Sequence, residues 1–368
     1  MFVRHAFVAA VMALQTQITG LVVPPLGPPT RTAPAITPQE MAVLREGIAL
    51  YEQRRLDEAF AKFEAIYKAN PDCTLAVYEM ALVHFARKEF QRAIDMAAIG
   101  AAYKDQPGPL AQYYSLIGTA LDASREPRKA VEVYQKGLEV APAVGLYYNM
   151  AVTQAQSLSD IPAAKTSLKA GARLDPMHAG TQLLLGKLFG LDSLQTPALF
   201  ALSRFLILEP ATARTSEAYQ LWFRLLNGTL QAGADGKPTI FVNPGQKKDE
   251  GDLTKLDLQI SLSKISTAQS AETKSQIQAM ADQLDALFGV YSIVEPGEDK
   301  DMFLYTYYMP YFTQMQKQGH VQPFVYYVSQ RTNLPGVREW LTVNQDKVTA
   351  FLDWSRKFAF PALTPAGK

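Results

Sequence analysis

Small and apolar residues recur between residues 40 and 212 at a spacing that is typical of packed helices. Ala59 and Ala93 lie 34 residues apart, and a second alanine series keeps the same step. That second series consists of Ala130, Ala164 and Ala198. An aromatic residue or a leucine stands four residues after most of these alanines, which places both on one face of a helix. The pattern therefore predicts helices that approach each other closely at the alanines.

Four prolines close these units, because proline lacks an amide donor and ends a helix. They are Pro71, Pro142, Pro176 and Pro210, of which the last three are 34 residues apart. Thr37-Pro38-Gln39-Glu40 has the pattern of a capping box and marks the first helix start. The step between the two alanine series is 37 residues, and we place the extra residues in the loop Gln106-Pro107-Gly108-Pro109.

These residues resemble the tetratricopeptide repeat, a helix–turn–helix unit of about 34 residues. The positions that carry the resemblance are Gly47, Tyr51, Ala59, Phe63 and Pro71 in the first unit, Ala81 and Ala93 in the second, Tyr114, Gly118, Ala130, Tyr134 and Pro142 in the third, Tyr148, Ala164, Leu168 and Pro176 in the fourth, and Gly186, Ala198, Leu202 and Pro210 in the fifth. The second unit departs at its end, where Asp105 replaces the proline. The resemblance implies a mainly α chain, with a right-handed α-solenoid of about five units over residues 38–212.

In such a solenoid the first helix of each unit lines a concave groove. The groove positions here are Tyr51, Tyr78, Leu82, Phe85, Ser115, Thr119, Asn149, Thr153 and Gln156. Four are apolar or aromatic and five are neutral polar. Related domains that clamp a chaperone's terminal carboxylate use lysine, arginine and asparagine there, and only Asn149 and Lys187 resemble that set. The composition predicts an extended or helical peptide ligand, or, equally, cover by the chain's own tail or C-terminal region.

The first residues predict a signal peptide over residues 1–23. A basic start at Arg4 and His5 precedes the apolar run from Ala6 to Leu14, which is too short to span a bilayer. We place cleavage near Thr19-Gly20; the alternative is an uncleaved anchor that extends to Val23. Residues 24–37 are proline-rich and predict a stiff, extended tether. The expected location is the periplasm or the extracellular space, with no stable membrane span after cleavage.

The last third changes character. Residues 213–228 predict a helix that caps the array, and residues 229–368 predict a small, helix-rich α+β domain with one or two strands. Thr239 to Asn243 has strand composition, and apolar residues alternate with polar ones from Leu256 to Leu262. Aromatic residues at helical spacing between Phe303 and Tyr327 predict a helix in the core of this domain.

Composition and charge exclude several classes of function. Thirty-six basic and 35 acidic residues give a formal net charge of +1, without the basic excess that nucleic-acid binding requires. The single cysteine, Cys73, allows no intrachain disulfide and is expected to be buried. The four histidines have no metal-ligand spacing, and His320 is the least implausible general base. We therefore expect no metal, no cofactor and no enzyme activity.

The sequence favours an exported scaffold or adaptor that binds a peptide or protein segment in the repeat groove. The alternative is an enzyme or small-ligand receptor with its site in residues 229–368 or at the junction with the array. A purely structural oligomer is a third reading, and the sequence leaves the oligomeric state and the partner's identity open.

Overall fold

The computed structural model describes residues 20–104, 107–227, 230–232, 238–240, 250–251, 253–268 and 274–362. The chain forms two compact units, which divide after Asp160. This division falls inside the predicted repeat array. The predicted domain limits and the continuous five-unit solenoid stay predictions. Residues 1–19 of the signal peptide predicted over residues 1–23 lie outside the described residues.

The first unit contains seven described helices, of which the first six form three pairs. They are α1 (Pro38–Glu52), α2 (Leu56–Ala69), α3 (Thr74–Ala86), α4 (Phe90–Gly100), α5 (Pro107–Ala123), α6 (Pro127–Val140) and α7 (Val144–Gln156). Helix α1 packs on α2, α3 on α4 and α5 on α6, and each second helix also packs on the next first helix. This confirms the tetratricopeptide-type helix pairs that the alanine and proline spacing predicts.

Small residues let the two helices of a pair approach each other. A Cβ atom added to Gly118 would lie 2.4 Å from Cε1 of Tyr134, and one added to Gly47 would lie 2.4 Å from Cε1 of Phe63. Real Cβ atoms do not approach that closely, so these positions require glycine. Cys73, in the connection between the first two pairs, is 3% exposed, which confirms its predicted burial.

Each turn inside a helix pair contains a residue in the left-handed conformation. Arg54, Lys88 and Arg125 have φ angles of 63°, 61° and 66°. The turn after α7 is one residue longer. Asp160 N–H donates to the carbonyl six residues back, whereas Glu126 N–H donates to the carbonyl five residues back. Relative to α5, the positions of α7 that face neighbouring helices are therefore shifted by one residue.

The connection between α4 and α5 contains the extra residues of the 37-residue step. Helix α5 begins at Pro107, so the prediction that Gln106 to Pro109 form this loop is wrong; the insertion lies before the proline. Proline fits the first turn of a helix because the amide it lacks has no partner there. The inserted segment contacts residues 20–36, here called the strap. The strap has no helix and packs on the first unit through Leu21, Val23 and Leu26.

The second unit is also helical. Its helices are α8 (Ile161–Leu174), α9 (Ala179–Leu191), α10 (Gln195–Leu208), α11 (Thr215–Leu226), α12 (Thr254–Ala268), α13 (Gln276–Tyr291), α14 (Met309–Lys317), α15 (Val321–Val328), α16 (Val337–Val343) and α17 (Gln345–Lys357). A single 3₁₀ turn covers Gly297–Asp299, and a π-helical segment covers Leu304–Tyr308. Helices α9 and α10 form the predicted fifth pair, and α11 packs on α10; its role as a capping helix stays a prediction.

Helix α10 is the centre of the second unit. Every residue from Thr196 to Ile207 is buried, and α9, α11, α12, α15 and the π-helical segment all pack against it. Most aromatic residues between Phe303 and Tyr327 lie in the core as predicted, but they belong to the π-helical segment, α14 and α15 rather than to one helix. Phe200 of α10 stacks on Phe312 with ring centroids 4.4 Å apart, and Tyr307 donates to the Ala172 carbonyl at 3.0 Å.

The prediction of an α+β domain in the last third is wrong. Leu256 to Leu262, predicted as a strand, lies within helix α12. Leu256, Ile260 and Ser261 are buried within it, whereas Leu262 is 41% exposed, so burial does not follow the alternation of apolar and polar residues. The described strands of this unit are β1 (Leu230–Ala232) and β2 (Pro238–Ile240), which pair antiparallel. Residues 241–243 of the other predicted strand lie outside the described part.

A charged side chain is buried in this core. Arg204 of α10 has no exposed surface, and its guanidinium carbon lies 4.5 Å from the Tyr311 ring centroid and 4.9 Å from that of Phe360. It donates to Ser355 Oγ at 3.1 Å and to the Pro176 carbonyl at 3.4 Å. Two aromatic rings and neutral acceptors therefore take the place of a carboxylate around this cation.

Candidate functional site

The nine predicted groove residues all lie on helices of the first unit. Tyr51 is on α1; Tyr78, Leu82 and Phe85 are on α3; Ser115 and Thr119 are on α5; and Asn149, Thr153 and Gln156 are on α7. The structure separates them into an apolar set on α1 and α3 and a polar set on α5 and α7.

The apolar set remains partly open to solvent. Tyr51, Tyr78, Leu82 and Phe85 are each half-buried. The Tyr78 ring meets the Tyr113 ring edge-on at 5.5 Å, and the Phe85 ring meets Phe90 edge-on at 5.6 Å. Each ring is thus fixed at one edge by a neighbouring aromatic residue. Fixed, half-exposed apolar side chains are a suitable surface for a ligand, since little conformational entropy is lost on binding.

The polar set mostly joins α5 to α7. Asn149 Nδ2 donates to Ser115 Oγ at 2.6 Å, and Thr119 Oγ1 lies 3.2 Å from the Tyr134 hydroxyl. Thr153, also predicted as a groove residue, is only 1% exposed. These side chains therefore stabilise helix packing rather than offer free groups to a ligand. The sequence pattern does not separate the two roles, because both require neutral polar residues at similar positions.

Thr153 reaches a carboxylate that sequence reasoning missed. Its hydroxyl donates to Asp122 Oδ2 at 2.9 Å, while Asp122 Oδ1 is buried without a hydrogen-bond donor in the described part of the chain. Asp122 follows Gly118 by four residues, as Phe85 follows Ala81 and Tyr51 follows Gly47. It therefore occupies, on α5, the position that aromatic residues take on α1 and α3. Gln156 at the end of α7 is exposed.

A second carboxylate, which the sequence pattern did not indicate, lies beside the apolar set. Glu79 lies one helical turn before Leu82 on α3, is half-buried, and forms no ion pair or hydrogen bond with the residues that the structure describes. Burial raises its pKa to about 7. Its charge also raises the pKa of the neighbouring Tyr78, although burial of that ring is the larger cause. Only its position beside three groove residues could have indicated this carboxylate from sequence.

The histidines do not assemble a catalytic or metal centre in the described part of the chain. His84 Nδ1 lies 2.6 Å from Glu89 Oε2, and the His178 ring caps α9. The His320 ring lies 5.2 Å from the Trp354 ring, and burial lowers its pKa. In the same residues, no three His, Cys, Asp or Glu side chains converge as metal ligands.

An open cleft of about 370 Å³ lies in the second unit, between α13 and α15. It is lined by Gln278, Ala281, Asp282, Asp285, Ala286, Gly319 and Gln322. Several of its polar groups already bind each other. Lys274 pairs with Asp282 at 2.5 Å, and Gln322 Nε2 donates to Gln278 Oε1 at 2.8 Å. This cleft is the candidate for the small-ligand site of the alternative hypothesis.

Comparison with known proteins gave matches among solved structures only. No protein-family model and no curated protein matches the chain. YrrB, a TPR protein with an unusual peptide-binding site, is 17% identical, with 50% of this chain and 94% of YrrB covered and a TM-score of 0.34. PilF of Pseudomonas aeruginosa is 15% identical, with 51% and 88% covered and a TM-score of 0.39. TTC0263 of Thermus thermophilus, also a TPR protein, is 22% identical, with 51% and 98% covered and a TM-score of 0.38.

Proposed function

We propose that this protein is an exported interaction scaffold whose first unit binds an extended segment of a partner along the first helices of its pairs. The observation that carries the proposal is the half-buried apolar set Tyr51, Tyr78, Leu82 and Phe85 on α1 and α3. Apolar surface of this kind is stabilised when a partner covers it.

Glu79 defines the partner's chemistry more closely. A carboxylate in an apolar surrounding is unfavourable while it is charged and unpaired. A lysine or arginine in the bound segment would supply the missing counter-ion beside Leu82. The preferred ligand is therefore an extended segment with apolar or aromatic side chains on both sides of one basic residue.

The polar set would act by fixing the surface. Hydrogen bonds from Asn149 to Ser115 and from Thr153 to Asp122 hold α7 against α5. A surface that is already ordered loses less entropy when it binds a partner. We expect substitutions in this set to lower stability more than they lower affinity.

Export is the part of the proposal that rests on the leader sequence. Its support is the basic start and the short apolar run of residues 4–14. Within the described part of the chain, none of the helices is long and apolar enough to cross a bilayer. Fractionation of the native host, followed by detection of the full chain, would test this part alone.

Direct binding tests the groove. Fluorescence anisotropy would compare a labelled extended peptide of apolar residues around a central lysine with the same peptide carrying glutamate at that position. We expect the lysine peptide to bind more tightly, and Leu82→Ala to weaken its binding by about tenfold, the loss of roughly 1–2 kcal/mol from one apolar contact.

Leu138→Ala is the matched control, because Leu138 is equally half-buried against the same core but lies on α6, a second helix. Equal loss of binding in both variants would indicate a stability effect and would contradict the groove. Equal affinity for the lysine and glutamate peptides would contradict the role of Glu79.

The cleft between α13 and α15 keeps a second candidate function open, the binding of a small polar ligand. Its support is the convergence of Asp282, Asp285 and two amide side chains. A screen of small amines and polyols by thermal shift, repeated with Asp285→Asn, would test it. A ligand whose stabilisation is unchanged by that substitution does not bind in this cleft.

A further inference from the structure

The strap is an extended segment that is fixed near both ends. Val22 N–H donates to Gln91 Oε1 at 2.9 Å, and Gln91 Nε2 donates back to the Val22 carbonyl at 2.8 Å. Nine residues later, Arg31 N–H donates to the Ala102 carbonyl at 3.0 Å. Between these two points, residues 23–29 form no hydrogen bond with any part of the chain that the structure describes.

Prolines give the middle of the strap a period of three. Each proline fixes its own φ angle and keeps the residue before it out of the helical region. Four of the six residues from 24 to 29 are proline, and such sequences adopt the polyproline II conformation, with three residues per turn. Burial has the same period. One row is half-buried and consists of Val23, Leu26 and Pro29; another row, here called the ridge, is exposed and consists of Pro25, Pro28 and Arg31.

The cation of the ridge is held in place and still has donors to offer. Arg31 Nη2 donates to Asp72 Oδ1 at 2.7 Å, and the guanidinium carbon lies 4.7 Å from the centroid of the Tyr103 ring. A guanidinium has five N–H donors. Among the described residues, Asp72 is the acceptor for the Arg31 side chain, which remains 53% exposed. Arg31 can therefore bind a second carboxylate without leaving Asp72.

The ridge has the chemistry that the apolar set and Glu79 require. Grooves lined by aromatic rings bind polyproline II segments, because these segments are already ordered and need no internal hydrogen bonds. Tyr51, Tyr78 and Phe85 supply half-exposed rings on α1 and α3. Glu79 beside them has no counter-ion within the described part of the chain. A row of prolines that ends in an arginine matches both features.

The spacing of the two surfaces agrees as well. Glu79 and Phe85 are six residues apart on α3, which corresponds to about 9 Å along the helix axis. Pro28 and Arg31 are three residues apart in the strap, which also corresponds to about 9 Å in an extended chain. With Arg31 beside Glu79, Pro28 can therefore reach Phe85.

Within one chain the strap does not cover this surface. Its described hydrogen bonds end on α4, on α6, on the insertion after α4 and on Asp72, and none of them involves the apolar set. All four residues of the apolar set stay partly exposed with the strap in place. A proline ridge that covers them must therefore come from another molecule.

From these observations we infer that the protein associates with itself head to tail, with the ridge of one chain bound on the apolar set and Glu79 of a second copy. The inference rests on the groove proposed above and names its partner. The strap stays docked on its own chain, so it enters the contact already ordered and loses little entropy. Because each contact joins two different surfaces, association continues beyond the dimer unless a ring closes.

Light scattering of the full chain over a range of concentrations tests this association. We expect an average mass that rises with concentration beyond that of two chains. Arg31→Glu and Glu79→Lys should each raise the dissociation constant by about tenfold or more, because each places like charges opposite one another. The matched controls, Arg128→Glu and Glu132→Lys, reverse exposed charges on α6 and should leave the mass curve unchanged.

Mixing the two variants tests whether these charges meet. The Glu79→Lys chain keeps the wild-type ridge and the Arg31→Glu chain keeps the wild-type groove, so these two surfaces pair as before. The other ridge and groove carry the exchanged charges and also attract each other. The mixture should therefore recover the wild-type mass curve, although neither variant associates strongly alone. Recovery would also show that both variants are folded.

A wild-type chain with a constant monomer mass would overturn the inference. So would an association that neither substitution weakens, or one that mixing does not restore. The groove itself is judged separately, by its binding of the lysine peptide. A chain that binds this peptide but stays monomeric retains the groove, and its partner is then a different protein.

Discussion

The desolvated carboxylate of Glu79 makes a prediction about stability that can be worked out from its pKa. The value rises from 4.5 to about 7, and burial is the cause. A pKa change of one corresponds to about 1.4 kcal/mol, so burial destabilises the charged form of Glu79 by at most about 3 kcal/mol. The side chain is only half-buried, so we reduce this for solvent screening to roughly 1–2 kcal/mol.

The direction in which stability changes with pH follows from proton linkage. A raised pKa means that the folded state binds the proton of Glu79 more tightly than the unfolded state does. The resulting stabilisation is complete below pH 4.5 and is lost as the pH rises to about 7. Glu79→Gln removes the titration, so we expect the variant to be more stable than the wild type at pH 8 by about 1–2 kcal/mol.

Urea unfolding at a series of pH values between 4 and 8 measures this difference, and the informative quantity is the gap between variant and wild type at each pH. The gap should widen from pH 5 to pH 8. Glu132→Gln, on the exposed side of α6, should show no such trend. A constant gap for Glu79→Gln would refute the claim that burial destabilises its charged form.

The same titration should appear in ligand binding. A basic residue that pairs with Glu79 lowers its pKa, so binding releases a proton. The affinity of the lysine peptide should therefore rise between pH 5 and pH 8, and that of a glutamate peptide should not. Isothermal titration calorimetry in two buffers of different ionisation enthalpy would detect the released proton. A lysine peptide that binds without proton release would contradict the pairing.

Three further predictions concern packing and can be checked by urea or thermal unfolding. Gly118→Ala should destabilise the first unit by about 1–2 kcal/mol, because the clash with Tyr134 exceeds the gain of about 1 kcal/mol in helix propensity; Gly145→Ala in α7, where nothing lies within 4 Å of the added atom, should stabilise instead. Lys88→Gly should stabilise by about 0.5 kcal/mol, since residue 88 has a φ of 61°; a loss would show that its side chain, not its backbone, dominates. Arg204→Lys should destabilise the second unit by about 1–3 kcal/mol, because lysine cannot stack on two rings; unchanged stability would mean that those ring contacts contribute little.

The repeat pattern could be predicted from sequence because each unit solves the same packing problem. Close helix approach requires a small residue, and Ala59 and Ala130 meet this requirement with no exposed surface. The register inside α7 could not be predicted, because the longer turn before α8 leaves the alanine period intact. Val152 keeps the 34-residue step after Gly118, yet the fully buried small residue is Ala151.

The last third misled sequence reasoning because short apolar runs are ambiguous. From Leu256 to Leu262 every second residue is apolar, which fits a strand with one buried face. The same residues also fit a helix whose buried face contains Leu256 and Ile260 and leaves Leu262 exposed. Contact with α10 and α13 decides between the two, and such contacts are not visible in a local pattern.

The sequence predicts a tether over residues 24–37, because prolines exclude regular hydrogen bonding, and a signal peptide over residues 1–23, so the strap includes parts of both. Its docking was nevertheless signalled by apolar Leu21, Val23 and Leu26 before and among the prolines. The 37-residue step was a second indication of this docking, because residues inserted into a regular array can contact another segment of the chain. Here the inserted backbone pairs with Arg31. The carboxylates of Glu79 and Asp122 gave no signal of their own, since charged residues on helices are usually solvated.

The strap also changes how unfolding can spread through the first unit. In a linear repeat array each pair contacts only its neighbours, so end pairs fray independently and the transition broadens. The strap joins the start of α6 in the third pair, the start of α4 in the second pair, and Asp72 in the connection between the first two pairs. Opening the third pair therefore also loosens contacts at the connection that follows the first pair. The strap adds contacts beyond those between neighbouring helices, and we expect all three pairs to melt in one cooperative step.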